Sequence, residues 1–143
     1  MIKEKSCGAV VYKYENGQLA VLIEKMQKGH YSMPKGHVEN DETEVQTATR
    51  EIKEETNLDV AIDANFRKVI TFSPYDGCMK DVVFFVAEVT GGDMINQECE
   101  VSGLLWLAPQ EAINIITHDT DRDVLISAIE YIESKANDKN ERQ

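Results

Sequence analysis

The chain has 143 residues, 42% of them hydrophobic, and a net charge of −11 from 26 acidic and 15 basic residues. That length supports one core rather than two, and the acidic balance argues against polymeric nucleic acid, which is held chiefly through Lys and Arg. No apolar run approaches the roughly 20 residues needed to cross a bilayer, so no membrane partner is expected.

The first residues, MIKEKS, lead directly into an apolar strand pattern and have no signal-peptide core. Cys7–Tyr14 and Leu19–Met26 are β-rich runs joined by Glu15-Asn16-Gly17-Gln18, in which Asn-Gly signals a hairpin. Tyr31–Lys35 reads as one short strand, with Pro34 favouring an edge. Asp41 is the expected N-cap of the next helix, with Glu44 three residues on approximating a capping box. Val60–Phe72 and Val82–Val89 read as strands, linked through Ser73-Pro74-Tyr75-Asp76-Gly77. Leu104–Leu107 is the expected last strand, Pro109 opens a short helix through Ile116, and Asp121–Ser134 shows helical spacing of apolar residues. Residues 1–135 are thus expected to form one domain, and 136–143 a polar, frayed tail. Cys7, Cys78 and Cys99 are odd in number and lack metal-ligand spacing, which points to reduced thiols and a cytoplasmic location.

The helix after Asp41 carries the chemistry. Val45, Ala48, Thr49 and Ile52 recur at helical spacing as an apolar stripe. Glu51, Glu54 and Glu55 crowd into an arc of roughly 100° on another side. Like charges so close destabilise a helix unless something offsets them, and hard divalent cations bound through oxygen would do so. A solvated acidic face is the plain alternative, but it leaves the surrounding pattern unexplained.

That pattern is Gly36, Glu42, Arg50-Glu51, Ile52, Glu54-Glu55 and Leu58, and it resembles the signature of the Nudix hydrolases. Asn57 stands where that family usually has Gly; the slot follows the helix, and Asn is the next choice after Gly for a left-handed conformation. The resemblance implies an α/β fold with a mixed β-sheet sandwiched between α-helices. It also implies metal-dependent cleavage of a phosphoanhydride bond in a nucleotide, with Mg²⁺ or Mn²⁺ held by Glu51, Glu54 and Glu55 and by the Gly36 carbonyl. Arg50 would orient the acidic cluster, and Glu42 would anchor the loop leading into the helix.

Met33-Pro34-Lys35-Gly36-His37-Val38-Glu39 and the strand from Lys80 to Val89 resemble the asymmetric diadenosine tetraphosphate hydrolases of the family. This implies substrate contacts from Lys35, His37, Lys80 and Tyr75, with Tyr75 stacking on a base. The proton acceptor is either Glu51 or an acid in the loop before Trp106, where Glu100 matches best and Glu98 is a short adjustment away. A ligand Glu is the weaker base, because the cation favours its ionised form, and this favours Glu100.

Three functions follow: a diadenosine tetraphosphate hydrolase giving ATP and AMP, a Nudix enzyme acting on (d)NTPs, nucleotide sugars or RNA 5′ ends, and a non-catalytic nucleotide sensor. The partner expected in the first is a small nucleotide; the oligomeric state is left open.

Overall fold

Every side chain from Ser6 to Tyr12 is buried, although successive strand residues point to opposite faces. A strand of that kind belongs inside a sheet covered on both sides. The computed structural model describes residues 1–141, with side-chain surroundings through residue 138. Its elements are β1 (Ile2–Glu15), β2 (Gln18–Met26), β3 (Tyr31–Ser32), β4 (Lys35–His37), α1 (Glu44–Thr56), β5 (Asp59–Phe72), β6 (Cys78–Gly91), β7 (Val101–Leu107), α2 (Pro109–Ile115) and α3 (Asp119–Glu141).

β1 lies parallel to β6, in register from Ile2 opposite Cys78 to Tyr12 opposite Glu88, and β5 runs antiparallel along the outer side of β6. Asn16 and Gly17, both at positive φ, form the expected hairpin turn into β2. β1 and β2 stay paired only as far as Val21. Beyond it β2 pairs with β7 and β3, while the freed edge of β1 takes β4. The site opens where these two strands part.

The sheet is mixed and has helices on both faces, as expected. On one face α1 covers Cys7, Ala9, Val11, Val83 and Phe85 through Ala48 and Ile52. On the other, α2 and α3 cover Val10, Tyr12, Val82 and Phe84 through Ala112, Leu125 and Ile129. Among the described residues no helix is long and apolar enough to cross a membrane.

Several boundaries differ from the sequence reading: β1, β6 and β7 start earlier, at Ile2, Cys78 and Val101, and two further differences have a clear cause. The single strand expected over Tyr31–Lys35 is broken at Met33-Pro34, because Pro34 has no N–H to donate; its carbonyl instead accepts from Ala9 N at 3.2 Å. α3 runs on to Glu141, into the stretch expected as a tail, since no Gly or Pro interrupts its helix-forming residues. The last two residues of that expected tail lie outside the described residues.

Candidate active site

Glu42 keeps the loop before α1 out of the helix. Its carboxylate accepts from Glu39 N at 3.0 Å and Thr47 Oγ1 at 3.1 Å, and its own N–H donates to the Glu39 carbonyl. The helix therefore starts later than expected. Thr43, not Asp41, is the N-cap, with a reciprocal capping box to Gln46 at 3.1 and 2.9 Å. Glu44 instead binds Lys5 and Arg67. The expected apolar stripe is also rotated: Val45 and Thr49 are exposed, and the buried face is Thr47, Ala48, Ile52, Glu55 and Thr56. At the far end Asn57 is left-handed at φ 65°, the conformation its place after the helix demands.

Arg50 binds the acids together. It forks onto Glu42 at 2.7 and 2.9 Å and donates to the His37 carbonyl at 2.9 Å, to Glu51 at 2.8 Å and to Glu54 at 3.2 Å. A guanidinium has five N–H groups, and these five bonds use them all. No donor remains for a substrate phosphate. The Arg50 fork, followed by the Glu39 N–H, holds the Glu42 carboxyl down at about 2.

A buried acid pair that the sequence reading missed sits behind this cluster. Glu24 on β2 is 1% exposed and Glu55 on α1 is 7% exposed. Their carboxyls lie within hydrogen-bonding reach of each other, and in each Oε2 has no partner. Burial raises both pKa values, and the charge of Glu24 raises that of Glu55 further. Glu51 is raised as well, by burial first. Among the described residues no three His, Cys, Asp or Glu side chains are already drawn together as ligands, since Arg50 engages Glu51 and Glu54. The donor set is nevertheless all oxygen, crowded, and left with two orphaned buried atoms, which fits a hard divalent cation. Nothing in the sequence marks Glu24, which stands between Ile23 and Lys25. Only the opening beside β4 reveals what it faces.

These groups line a cavity of about 390 Å³. Glu24, Glu51, Glu54 and Glu55 meet there with Glu98 and Glu100 from the β6–β7 loop, and with Lys35, Gly36, His37 and Lys80. Burial and then the charge of Lys35 lower the Lys80 pKa, and both lysines line this cavity. The charge of Glu98 adds to the rise at both Glu24 and Glu55, after burial and the nearer partners. A second cavity of about 400 Å³ adjoins the first, sharing His30, Ser32 and Lys35. Its other walls include Ile70, Phe72, Val82 and His118.

Tyr75 lines neither cavity. Its hydroxyl donates to Glu4 at 3.1 Å, and half its surface is exposed. The rings lining the second cavity are those of His30, Phe72 and His118. None carried a motif in the sequence, and their neighbourhood depends on how β5 meets the start of α3.

The chain matches the family model described as the NUDIX domain over residues 4–129, and it belongs to that family. It is 28% identical to the asymmetrical bis(5′-nucleosyl)-tetraphosphatase of Sus scrofa over 92% of this chain and 97% of that protein. It is 34% identical to the 8-oxo-(d)GTP phosphatase of Mycolicibacterium smegmatis over 73% of this chain, but spans only 31% of that protein's length. Its fold is similar to a C. elegans Ap4A hydrolase binary complex, with a TM-score of 0.82, 25% identity and coverage of 92% of this chain and 98% of that one.

Proposed function

We propose that this Nudix hydrolase cleaves dinucleoside polyphosphates, converting diadenosine tetraphosphate to ATP and AMP with Mg²⁺ or Mn²⁺. The observation that carries the reading is the pair of adjoining cavities. One is lined with carboxylates and two lysines, the other with apolar walls and rings, and Lys35 stands between them. A polyphosphate with a nucleoside at its end has the same division. The similarity to a tetraphosphatase along nearly its whole length supports the same choice.

Glu51, Glu54 and Glu55, with the Gly36 carbonyl, would hold the divalent ions, and Glu24 backs Glu55. Bound there, such ions neutralise phosphoryl oxygens and lower the pKa of water. Arg50, with every donor engaged, orients Glu51 and Glu54 and does not touch phosphate. Lys35 and Lys80 meet the anionic chain, and His37 lines the same wall. Glu98 and Glu100 face the same cavity from the β6–β7 loop, and Glu100 is the one proposed to take a proton from water, with Glu98 beside it as the alternative. Phe72 and His118 take the nucleoside end in place of Tyr75. The free thiols of Cys7, Cys78 and Cys99 fit a reducing cytoplasm.

The similarity to the 8-oxo-(d)GTP phosphatase supports a second reading, in which an oxidised purine triphosphate is cleaved with release of phosphate or pyrophosphate. A product assay over a nucleotide panel with Mg²⁺ and Mn²⁺ separates the two. ATP plus AMP from diadenosine tetraphosphate supports the first reading. Two ADP, or a large preference for oxidised triphosphates, overturns it. Tight nucleotide binding without turnover would make the chain a sensor.

A further inference from the structure

A helix leaves its last carbonyls without intrahelical donors, and those of α1 lie one turn from the site's acids. Here the donors come from the β6–β7 loop. The side-chain amide of Gln97 donates to the Lys53 carbonyl at 2.9 Å and to the Glu54 carbonyl at 3.3 Å, and the Gln97 N–H reaches the Glu55 carbonyl at 3.5 Å. Ile95 N donates to the Thr56 carbonyl at 2.9 Å. Asn57, the residue that departs from the family signature, donates its side-chain amide to the Asp93 carbonyl at 2.9 Å. Beyond Gln97 the loop closes on itself, through Asn96 Nδ2 to the Val101 carbonyl at 2.7 Å and Val101 N to the Glu98 carbonyl at 3.2 Å. Glu98 and Glu100 therefore project from a short closed turn, and that turn is fastened by Gln97 to the helix carrying Glu51, Glu54 and Glu55.

We propose that Gln97 is a positioning residue: its side-chain amide fixes the loop acids Glu98 and Glu100 against the end of α1, so that both acidic arms of the site keep one geometry. This rests on the catalytic reading above. Gln97 need not touch substrate or metal. It acts through the acids beside it, and it also donates to the Glu54 carbonyl at the helix end, the Lys53 carbonyl already accepting from Asn57 N at 2.9 Å. Asn57 adds a second tie that a Gly at the same position would not supply.

The test uses the full chain with diadenosine tetraphosphate, together with the affinity for Mn²⁺ alone measured by calorimetry. Gln97→Ala should lower kcat or Mn²⁺ affinity by about tenfold or more, as is usual when a residue supporting a functional group is removed, with KM nearly unchanged. Gln97→Glu keeps the side chain's size but turns a carboxylate towards carbonyls at the negative end of the helix, and should be worse than Ala. Asn57→Gly keeps the left-handed turn and should shift the same quantities less. In a double-mutant cycle the effect of Gln97→Ala should largely vanish when Glu98→Gln or Glu100→Gln has already removed the acid it positions.

Equal losses from Gln97→Ala in wild type and in both acid variants would overturn the inference, as would Gln97→Glu matching wild type. Loss of activity that merely follows a lowered Tm would overturn it too. If the acid variants are impaired and Gln97→Ala is not, this inference alone fails. If both acid variants match wild type, the catalytic role given to the loop fails with it.

Discussion

Glu51 and Gly36 occupy one another's space: a β-carbon on Gly36 would stand 2.0 Å from the Glu51 carboxyl carbon. β4 and α1 close to this distance only because position 36 has no side chain. The obstructing atoms are the end of a flexible side chain, so Gly36→Ala should displace Glu51 rather than unfold the protein. We expect kcat to fall by about a hundredfold or more while Tm drops by only about 5 °C. Wild-type turnover in this variant would show that the position of Glu51 is unimportant.

Chelation should abolish turnover, and added Mg²⁺ or Mn²⁺ should restore it. Glu54→Gln removes an exposed carboxylate that touches only Arg50 through its side chain, so circular dichroism should be unchanged while kcat falls by orders of magnitude. Turnover that survives EDTA would sink the metal-dependent mechanism.

The buried pair makes the opposite prediction for stability. Both Glu24 and Glu55 hold protons more tightly when folded, so their contribution is present below the ordinary carboxylate range and is lost as pH rises above it. Glu24→Gln removes one of the two. In EDTA at about pH 8 the variant should melt about 3 °C or more above wild type, yet gain less from Mn²⁺. A lower Tm in EDTA would mean the pair is not strained.

Acid acts on another part of the helix. Glu44 is held down at about 2 by Arg67 and then Lys5, from an ordinary value of 4.5. A depressed folded value means its stabilisation is complete above 4.5 and is lost as pH falls through about 2. Melting curves from about pH 5 to about pH 2.5 should fall more steeply for wild type than for Glu44→Gln. Parallel curves would contradict the assignment.

Base recognition separates the ring that was expected from the rings in the second cavity. Phe72→Ala and His118→Ala should each raise KM for diadenosine tetraphosphate about fivefold with little change in kcat. Tyr75→Ala removes the ring together with its bond to Glu4 and should match wild type. The reverse pattern would return the stacking role to Tyr75.

The legible parts of the site were those whose chemistry is local. Gly36, Glu42, Arg50 and the acids of α1 lie within two turns and a loop, so their spacing reports their meeting directly. The Asn16-Gly17 hairpin and the left-handed Asn57 are local in the same sense. What escaped was set at a distance. The rotation of α1 follows from Glu55 facing Glu24, a strand residue that shows no distinguishing neighbours in sequence. The true N-cap depended on Glu42 being engaged by Arg50 eight residues later. Phe72, His30 and His118 meet only after β5 and α3 are placed.

β1 and β6 pair in parallel with Ile2 opposite Cys78 and Tyr12 opposite Glu88. This has a kinetic meaning. The two central strands find each other only by closing a long loop, whose entropy must be lost before the contacts reward it. Lys80 sits on one of them, while β4, with Gly36 and Lys35, borders the other. The hairpin and α1 can form early from neighbours in the chain, but the cavity cannot exist until that closure is complete. Recovery of activity during refolding should therefore trail the recovery of helical circular dichroism, and should track the burial of Phe84 and Phe85 in the closed sheet.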